Sequence, residues 1–461
     1  MNKQEEMPLV KRLVEHAKLN PVSFHVPGHK NGQLYPDTWQ AFLKYDLTEI
    51  TGMDDLYQPK TVIYEAMELL TEFYQTKQSY FLVNGTTSGN LAMILATVKR
   101  GEKVLVARNV HKSIIHALEL AFAVPVFLTP DVDTQTNTAS GISSEWLQRA
   151  FLLHPDIVAC IFTYPSYYGT VFDLKACIEV AHRYKALVLV DEAHGAHLEA
   201  HQTFPLSSLK LGADIVVQSA HKTLPALTMG AFLHIGSDDS RLQQVPYYLQ
   251  VVQSSSPSYL IMASLDIARH YIANYDEADF QVFSKMRDAW LQFLMEQGFE
   301  VILPADPLKM VIRKPNLSGW QILKIFEQNG YFPEFADLTQ VLLILPLLKK
   351  EETFLPPEKW FAPELEPTTI SVKSAKNKEI TELAISYEQM KTTKTIFIPL
   401  MESIGRISAE NIMSYPPGIP EILRGERITS EHFKILSELR QHHFQGGERL
   451  LAEEIKIYDI I

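Results

Sequence analysis

The chain has 461 residues, of which 46% are hydrophobic and 21% are charged. This composition is typical of a folded globular protein and argues against long disordered regions, and the length allows roughly three units of ordinary domain size. Acidic residues outnumber basic residues by 54 to 42, which gives a formal net charge of -12. Such a field repels a phosphate backbone, so nucleic acid is not an expected partner.

The first residues, MNKQEEMPLVKRLVEHAK, carry charges throughout and lack the apolar stretch of a secretory signal. The longest apolar runs are too short to cross a membrane. We therefore predict a cytoplasmic protein without a membrane partner. Cys160 and Cys177 each lie in an apolar pattern and have no second cysteine at metal or redox spacing, so both are predicted to be core residues.

The pattern of apolar and polar residues changes twice along the chain. Residues 1–58 pair a short amphipathic helix with turn-rich sequence, which predicts an N-terminal arm. Residues 59–275 alternate strand-like apolar runs with helix-period segments, which predicts a mostly parallel sheet sandwiched by helices in an α/β domain. Residues 276–461 mix strands and helices less regularly, which predicts a smaller α+β C-terminal domain, with 363–395 as a surface connection.

The predicted strands are followed by polar clusters. The strands are 80–83, 104–107, 157–164, 186–190, 214–218 and 230–235, and the clusters NGTTSGN, RNVHKS, PSYYG, DEAHGAH and SAHKTL follow the first five. Ligands of such open sheets bind beyond the carboxyl ends of the strands. A site for a polar cofactor explains why these clusters gather at one edge.

The NGTTSGN cluster joins a predicted strand to a predicted helix. The predicted helix is GNLAMILATV, which starts at Gly89, and Thr86, Thr87 and Ser88 lie where it begins with free N–H groups, an arrangement that suits a phosphate. The alternative is an ordinary helix cap by Ser88, and this segment alone does not decide between them.

Two charged residues follow buried strands. Asp191 comes at the tip of the apolar run 186–190, where a carboxylate is costly unless a cation such as a pyridinium N–H meets it. Lys222 comes 31 residues later, beside Ser219 and His221, and a partly desolvated lysine can condense with an aldehyde. The alternatives are an Asp that caps a turn and a lysine on the surface.

These clusters, together with FHVPGHKNG, DLTEITGMDDLYQP and YPPGIP, resemble the Orn/Lys/Arg decarboxylase family in position and order. The resemblance runs from about residue 20 to residue 430 and is to the shorter members, which lack the N-terminal wing domain. It implies an aspartate-aminotransferase-like fold, with pyridoxal 5'-phosphate bound by residues 59–275, and decarboxylation of arginine, lysine or ornithine.

The resemblance also assigns roles to individual residues. It implies that Lys222 holds the cofactor as a Schiff base, that Asp191 pairs with the pyridine nitrogen and that His194 lies near the ring oxygen. It implies that His111 stacks on the ring. The residues that it assigns to the phosphate are Thr86, Thr87, Ser88, Ser219 and His221. Family members are dimers with shared sites, which implies a homodimer or larger homo-oligomer in which the PGHK arm and Ser256 serve a neighbouring subunit.

Two further features bear on the substrate. The acidic arm residues Glu49, Asp54 and Asp55 are candidates for the distal cation of a basic amino acid, although a solvated turn capped by Asp explains them equally well. After YPPGIP the chain departs from the family pattern with Glu421 and Arg424, so substrate specificity can differ here.

Three other readings remain open at this stage. His194, His197 and His201 have a spacing that would suit a metal-dependent hydrolase if they shared one helix face, although Gly195 weakens such a helix. Transamination uses the same cofactor and electron sink. A regulatory or binding protein descended from an enzyme is the third, and the intact Lys222 and Asp191 argue against it.

Overall fold

The computed structural model describes residues 3–361, 363, 365–367, 379–414, 419–439 and 444–460. Residues 415–418 of the YPPGIP motif and part of the predicted connection 363–395 lie outside the described residues. No helix among the described ranges is long and apolar enough to cross a membrane.

The described α-helices, in chain order, are α1 (Pro8–Lys18), α2 (Asp37–Leu43), α3 (Val62–Tyr74), α4 (Gly85–Thr97), α5 (Lys112–Ala121), α6 (Ser144–Leu153), α7 (Leu174–Arg183), α8 (Ser208–Leu211), α9 (Ala220–Thr223), α10 (Val245–Val252), α11 (Tyr259–Ala273), α12 (Glu277–Glu296), α13 (Gly319–Gln328), α14 (Tyr387–Thr392) and α15 (Ser430–Leu439).

The described strands are β1 (Gln78–Leu82), β2 (Lys103–Ala107), β3 (Val124–Leu128), β4 (Val132–Asp133), β5 (Thr138–Ala139), β6 (Ile157–Thr163), β7 (Leu187–Asp191), β8 (Ile215–Gln218), β9 (Ala231–Ile235), β10 (Glu300–Ile302), β11 (Lys309–Arg313), β12 (Phe335–Ala336), β13 (Val341–Ile344), β14 (Ile380–Glu382), β15 (Thr395–Pro399), β16 (Ile407–Ser408), β17 (Ile412–Ser414), β18 (Ile419–Ile422), β19 (Phe444–Gln445) and β20 (Glu454–Tyr458).

The largest sheet has eight strands in the order β1-β9-β8-β7-β6-β2-β3-β14. The pairs β2–β3, β2–β6 and β7–β8 are parallel, whereas β9 runs antiparallel to both of its neighbours and β14 runs antiparallel to β3. Every residue of β7, β8 and β9 is buried, which explains their nearly continuous apolar sequences. The expected mostly parallel α/β sheet is confirmed.

All six predicted strands are present, with ends that differ from the prediction by no more than two residues. Two strands of this sheet were not predicted. β3, with the sequence VPVFL, begins with a Val-Pro pair that weakens the strand pattern. β14 lies inside the stretch 363–395, which is therefore not merely a surface connection, because Ile380 pairs with Leu128 of β3.

Helix α7 shows how the local sequence builds the covering layers. Asp173 caps its start by accepting a hydrogen bond from the Ala176 N–H at 3.0 Å. Its buried residues recur at intervals of three and four and are Leu174, Cys177, Ile178 and Ala181, among others. His182 and Arg183 end the helix, where basic residues complement the helix dipole.

Residue contacts divide the chain into two compact units. The first unit comprises Met1–Thr97, Leu189–Met286 and Pro346–Phe354, and the second comprises Val98–Val188, Arg287–Leu345 and Leu355–Ile461. The division into an arm, a large domain and a C-terminal domain at residues 58 and 275 stays a prediction.

The C-terminal part contains several small sheets. Their strand orders are β10-β11-β13-β12, β15-β20-β16 and β18-β17-β19. A separate apolar cluster, which includes Ile412, Ile422, Leu436 and Ile457, packs between the last two of these sheets and α15. This part therefore has a core of its own, which confirms the expected smaller α+β region.

Candidate cofactor and active site

Asp191 is the last residue of β7 and is only 2% exposed. Its Oδ2 accepts a hydrogen bond from the Asn90 side-chain amide at 2.9 Å, and its Oδ1 accepts one from the Ala193 N–H at 3.2 Å. Both donors are neutral, and a carboxylate can accept about four hydrogen bonds. The carboxylate is therefore oriented by the protein and retains capacity for a cationic N–H.

Lys222 lies in the short helix α9, directly after β8. Its Nζ is 3.1 Å from Nε2 of His194, and its side chain is half-buried. His194 is 4% exposed and belongs to the turn that follows Asp191. The structure thus brings Lys222 and His194 together, although they are 28 residues apart in the sequence.

The polar residues of NGTTSGN form the first turn of α4. We expected the helix to start at Gly89, but it begins at Gly85, so the cluster supplies N–H groups that lack helical partners. Thr86 Oγ1 is 3.1 Å from Oγ of Ser219, which follows β8. Thr87 is exposed, and Ser88 is buried and donates a hydrogen bond to the Gly85 carbonyl at 2.8 Å. Ser88 is therefore not the N-cap that the alternative reading required.

Gly89 explains how the start of α4 comes so close to the sheet. A Cβ atom at this position would lie 2.5 Å from Cγ1 of Val217 in β8 and 2.8 Å from Cδ1 of Leu82 in β1. Only glycine allows this approach of helix to sheet. The approach brings Thr86 to Ser219, and it brings Asn90 to Asp191.

Two of the predicted histidines have local partners. His221 Nδ1 lies 3.0 Å from the Gly230 carbonyl just before β9, and the His221 N–H donates to the same oxygen. His111 follows β2 in the second unit, where it is exposed and caps α5 by accepting a hydrogen bond from the Ser113 N–H. Its stacking on a cofactor stays a prediction.

The residues of the first unit fit pyridoxal phosphate in their chemistry. They combine an amine on Lys222, a buried carboxylate on Asp191, and hydroxyl groups at a helix N-terminus on Thr86 and Ser219. The space beside the helix start is open, because a Cβ built on Gly85 meets no heavy atom within 4 Å. Helix N-termini of this kind bind phosphate groups.

The sequence reading missed two groups of this site. Asn90 is fully buried and orients Asp191; it lies within NGTTSGN, but the sequence pattern assigns it no role. Glu192 lies within DEAHGAH and is also fully buried. In both cases the motif was visible, but the direction in which the side chain points was not.

The histidine spacing behind the hydrolase reading does not form one helix face. Residues 194–197 form turns, and a short 3-10 helix covers Leu198–Ala200. His197 packs against Phe204, and His201 Nε2 lies 2.8 Å from Oε2 of Glu277. Among the described residues, no group of three or more His, Cys, Asp or Glu side chains could hold a metal ion.

Asp54 of the acidic arm has a structural role. It is 6% exposed, and its carboxylate accepts hydrogen bonds from the backbone N–H groups of Lys60, Thr61 and Ile63, among others. Burial acts to raise the pKa of Asp54, but these N–H groups outweigh burial and lower it. The reading of Asp54 as a cap is favoured over its reading as a substrate ligand.

Glu421 and Arg424, the unusual residues after YPPGIP, contact other residues of the second unit. Arg424 pairs with Glu119 of α5, and the carbonyl of Glu421 accepts a hydrogen bond from Arg108 at 3.3 Å. The carboxylate of Glu426 in the same segment binds the Arg108 guanidinium. These contacts assign the segment 419–428 a structural role beside the end of β2.

Comparison with known proteins identifies the family. The family model described as "Orn/Lys/Arg decarboxylase, major domain" matches residues 7–282, which is more than half of the chain, and "Orn/Lys/Arg decarboxylase, C-terminal domain" matches residues 370–446. The chain therefore belongs to the Orn/Lys/Arg decarboxylase family. Membership confirms the predicted resemblance and the expectation of an enzyme of the decarboxylase class.

Several curated relatives match along nearly their whole length. The chain is 42% identical to the uncharacterised protein YaaO of Bacillus subtilis, with 98% of each chain covered. It is 33% identical to a protein named arginine decarboxylase from Halalkalibacterium halodurans, with 95% of this chain and 94% of the relative covered. A B. subtilis protein of the same name is also 33% identical, with 94% and 93% covered.

Solved structures support the fold. The lysine decarboxylase LdcF of Francisella novicida has a TM-score of 0.78 at 18% identity, covering 98% of this chain and 81% of that one. The serine palmitoyltransferase of Sphingomonas wittichii has a TM-score of 0.52 at 14% identity, covering 75% of this chain and 81% of that one. At these identities the likeness concerns the fold, and it confirms the expected fold class.

Proposed function

We propose that this protein uses pyridoxal 5'-phosphate to decarboxylate arginine, lysine or ornithine, with agmatine, cadaverine or putrescine and carbon dioxide as products. The observation that carries the proposal is the contact of Lys222, which follows β8, with His194, which lies in the turn after the buried Asp191 at the end of β7. Relatives named arginine decarboxylase support the reaction. They make arginine the first substrate to test.

The candidate site residues have the following roles in this proposal. Lys222 would supply the amine that holds the aldehyde group of the cofactor, and Asp191 would hold a proton on the pyridine nitrogen. His194 lies at the Lys222 amine, where it can orient that group and exchange a proton with it. Thr86 and Ser219, with Thr87 and Ser88 in the same helix turn and His221 after β8, would hold the phosphate. Stacking of His111 on the ring stays a prediction from the family resemblance.

When bound, pyridoxal phosphate supplies an electron sink for the pair of electrons that remains when the carboxylate leaves as carbon dioxide. The contribution of the protein is mainly electrostatic. The buried carboxylate of Asp191 would favour the protonated form of the ring nitrogen and so make the ring a better electron acceptor, and its burial would strengthen that interaction. Lys222, whose Nζ lies 3.1 Å from Nε2 of His194, would be positioned to donate a proton to the substrate's alpha carbon.

The attachment point can be tested directly. The protein is incubated with pyridoxal phosphate, reduced with borohydride, digested and examined by mass spectrometry, and the cofactor mass is expected on Lys222. Lys222→Ala should remove the label and the visible absorption band and lower amine production at least roughly a hundredfold. Lys210→Ala is the matched control, because Lys210 pairs with Glu199 at the surface. A label on another lysine, or none on the wild type, would refute the proposed site.

Transamination is the alternative that uses the same residues. Incubation with each of the three amino acids, followed by chromatography of amines and keto acids, separates the two reactions. An amine with release of carbon dioxide supports decarboxylation. A keto acid formed without carbon dioxide would show transamination instead. If none of the three amino acids reacts, the proposed substrate class is refuted.

We also propose that the protein is a homodimer or a larger homo-oligomer. Large apolar side chains are concentrated and exposed in the turn-rich arm; they are Leu19, Val22, Phe24, Val26, Leu34, Trp39 and Phe42. An exposed apolar patch of this kind is typical of a protein interface. The roles of the PGHK segment and of Ser256 in a neighbouring subunit, and the cytoplasmic location, stay predictions.

A further inference from the structure

Glu192 follows Asp191 in the sequence, but its side chain takes the opposite direction. Neighbouring residues at a strand end point to opposite faces of the sheet. Asp191 meets Asn90 of α4, whereas Glu192 meets the segment that starts α8. Glu192 is fully buried, and its backbone N–H donates to the Val217 carbonyl of β8 at 2.9 Å.

Three donors converge on the Glu192 carboxylate. Oε1 accepts hydrogen bonds from the Ser207 hydroxyl at 2.8 Å and from the Gln218 side-chain amide at 2.7 Å. Oε2 accepts one from the Ser208 N–H at 2.6 Å. Burial raises the pKa of Glu192 to about 7, against the effect of these donors. The carboxylate thus links the end of β7 to the end of β8.

Gln218 also connects Glu192 to hydrogen-bonding side chains of the next strands of the sheet. Its Oε1 lies 3.1 Å from Nε2 of His234 in β9, whose Nδ1 lies 2.8 Å from the hydroxyl of Ser79 in β1. The Ser79 hydroxyl lies 2.7 Å from that of Thr76. Burial lowers the pKa of His234 to about 3, so its ring is neutral.

The chemistry of these groups sets one direction for the chain of hydrogen bonds. Gln218 donates its side-chain amide to Oε1 of Glu192, so its carbonyl oxygen faces His234. A neutral His234 must then donate from Nε2 and accept at Nδ1 from Ser79. Each donor in the chain therefore points toward Glu192, an arrangement in which the hydrogen bonds strengthen one another.

The turn that carries His194 is built against the same side chain. The Gly195 N–H donates to the Glu192 carbonyl at 2.9 Å. A Cβ on Gly195 would lie 2.5 Å from Cγ of Glu192, so the turn closes over the side chain only with glycine there. The position of His194 thus depends on that of Glu192.

We infer that Glu192 is a positioning residue for the site. Its buried carboxylate holds together the ends of β7 and β8, and with them Asp191, His194 and the segment Ser219 to Lys222. Glu192 contacts none of the reacting atoms and acts through Gln218 and the turn of His194. This inference rests on the proposed function, because it concerns the geometry of the groups that would bind pyridoxal phosphate.

Glu192→Gln tests the inference. The new amide places an N–H group where donors already converge, so Gln218 and the turn must shift. Displacement of reacting groups by about 1 Å can cost on the order of a hundredfold in rate. We expect E192Q to raise the dissociation constant for pyridoxal phosphate at least roughly tenfold, as measured by absorption and fluorescence. We also expect it to lower kcat by roughly 10- to 100-fold with little change in KM.

Two comparison variants separate positioning from general stability. Ser79→Ala cuts the same chain of hydrogen bonds at His234, away from Gln218 and Glu192, and should lower thermal stability without weakening cofactor binding. The exchange E192Q with Q218E restores one carboxylate and one amide between β7 and β8. It should recover most of the affinity for the cofactor.

The outcomes decide between the hypotheses. If wild-type protein does not bind pyridoxal phosphate, the proposed function fails and the inference falls with it. If wild type binds but E192Q binds equally well, or S79A weakens binding as much as E192Q, the inference alone is overturned. Should E192Q not fold, Glu192→Asp replaces it, because Asp keeps the charge but shortens the reach to Gln218. An unchanged dissociation constant in that folded variant overturns the inference, and a weakened one supports it.

Discussion

Arg108 and Glu426 form a buried ion pair in the second unit. Arg108 Nη2 lies 2.7 Å from Oε2 of Glu426, and Nη1 contacts the other carboxylate oxygen. The side chains are only 11% and 5% exposed. Because Arg108 also donates to the Glu421 carbonyl, the pair attaches the segment 419–428 to the end of β2. The two-pronged geometry is the strong form of an Arg–carboxylate contact.

Removing one partner of this pair should be costly. Glu426→Gln leaves the Arg108 charge buried without its counter-charge, and such changes typically cost about 3–5 kcal/mol of unfolding free energy. Denaturant unfolding of the apoprotein measures the loss. Glu431→Gln, at an exposed position nearby in sequence, should change stability by less than about 0.5 kcal/mol. A similarly small loss in E426Q would contradict the role assigned to the pair.

The same ion pair predicts how the stability of the fold changes with pH. Burial acts to raise the pKa of Glu426, but the charge and hydrogen bonds of Arg108 outweigh burial and lower it. A carboxyl with a lowered pKa in the folded state stabilises the fold above its unfolded pKa and loses this contribution as pH falls through the folded value. Acid should therefore destabilise the wild type more steeply than E426Q.

At the scale of elements, helix α3 starts on a side chain that lies outside it. Asp54 Oδ2 accepts hydrogen bonds from the N–H groups of Ile63 and Tyr64 in the first turn. Thr61, at the N-cap position, makes no capping hydrogen bond with its own side chain. Asp54 therefore caps α3 in place of Thr61, although it lies several residues before the helix. This contact joins the arm to the first helix of the large α/β region.

Asp54→Ala should destabilise the protein without a specific effect on substrate. Loss of the acceptor leaves several N–H groups buried, at a cost of about 1–3 kcal/mol in unfolding free energy. Asp55→Ala is the control, since the Asp55 carboxylate accepts only the Tyr57 N–H among the described hydrogen bonds. Denaturant unfolding and KM for the accepted amino acid are measured together. A large rise in KM with unchanged stability would restore Asp54 as a substrate ligand.

At the scale of the whole molecule, the arm offers the largest concentration of exposed apolar side chains among the described residues. Phe24 is 94% exposed, and Trp39 is 64% exposed. Each is costly to leave in water, by about 25 cal/mol for each Å² of apolar surface. In the proposed oligomer, a second copy of the chain would cover this arm and remove that cost.

The double variant Phe24→Ser with Trp39→Ser tests this interface. Wild-type protein should sediment as a dimer or larger species, and the double variant should shift toward the monomer because it loses apolar contact area. Leu152→Ser, which removes an exposed apolar side chain of α6, should not change the sedimentation coefficient. A monomeric wild type at micromolar concentration would rule out the proposed oligomer.

Much of the fold and part of the site follow from local sequence pattern. Buried strands are continuous apolar runs, and the residue that ends each run is readable, so the positions of Asp191 and Lys222 at neighbouring strand ends were predicted. The predicted start of α4 at Gly89 was too late, because Thr86 to Ser88 have weak helix propensity and the close packing of Gly89 against Val217 is a tertiary contact that local sequence does not show.

Local pattern cannot show which distant side chains meet. The contacts from Asn90 to Asp191, from Lys222 to His194 and from Glu192 to Gln218 join residues 101, 28 and 26 positions apart. Sequence alone determined the mostly parallel sheet, the strand ends at which Asp191 and Lys222 lie, and the family. Only the tertiary structure decided that Asp191 contacts Asn90 of α4 at the candidate site, whereas Glu192 contacts Gln218 on the opposite face. That choice depends on the layers that pack against each face of β7.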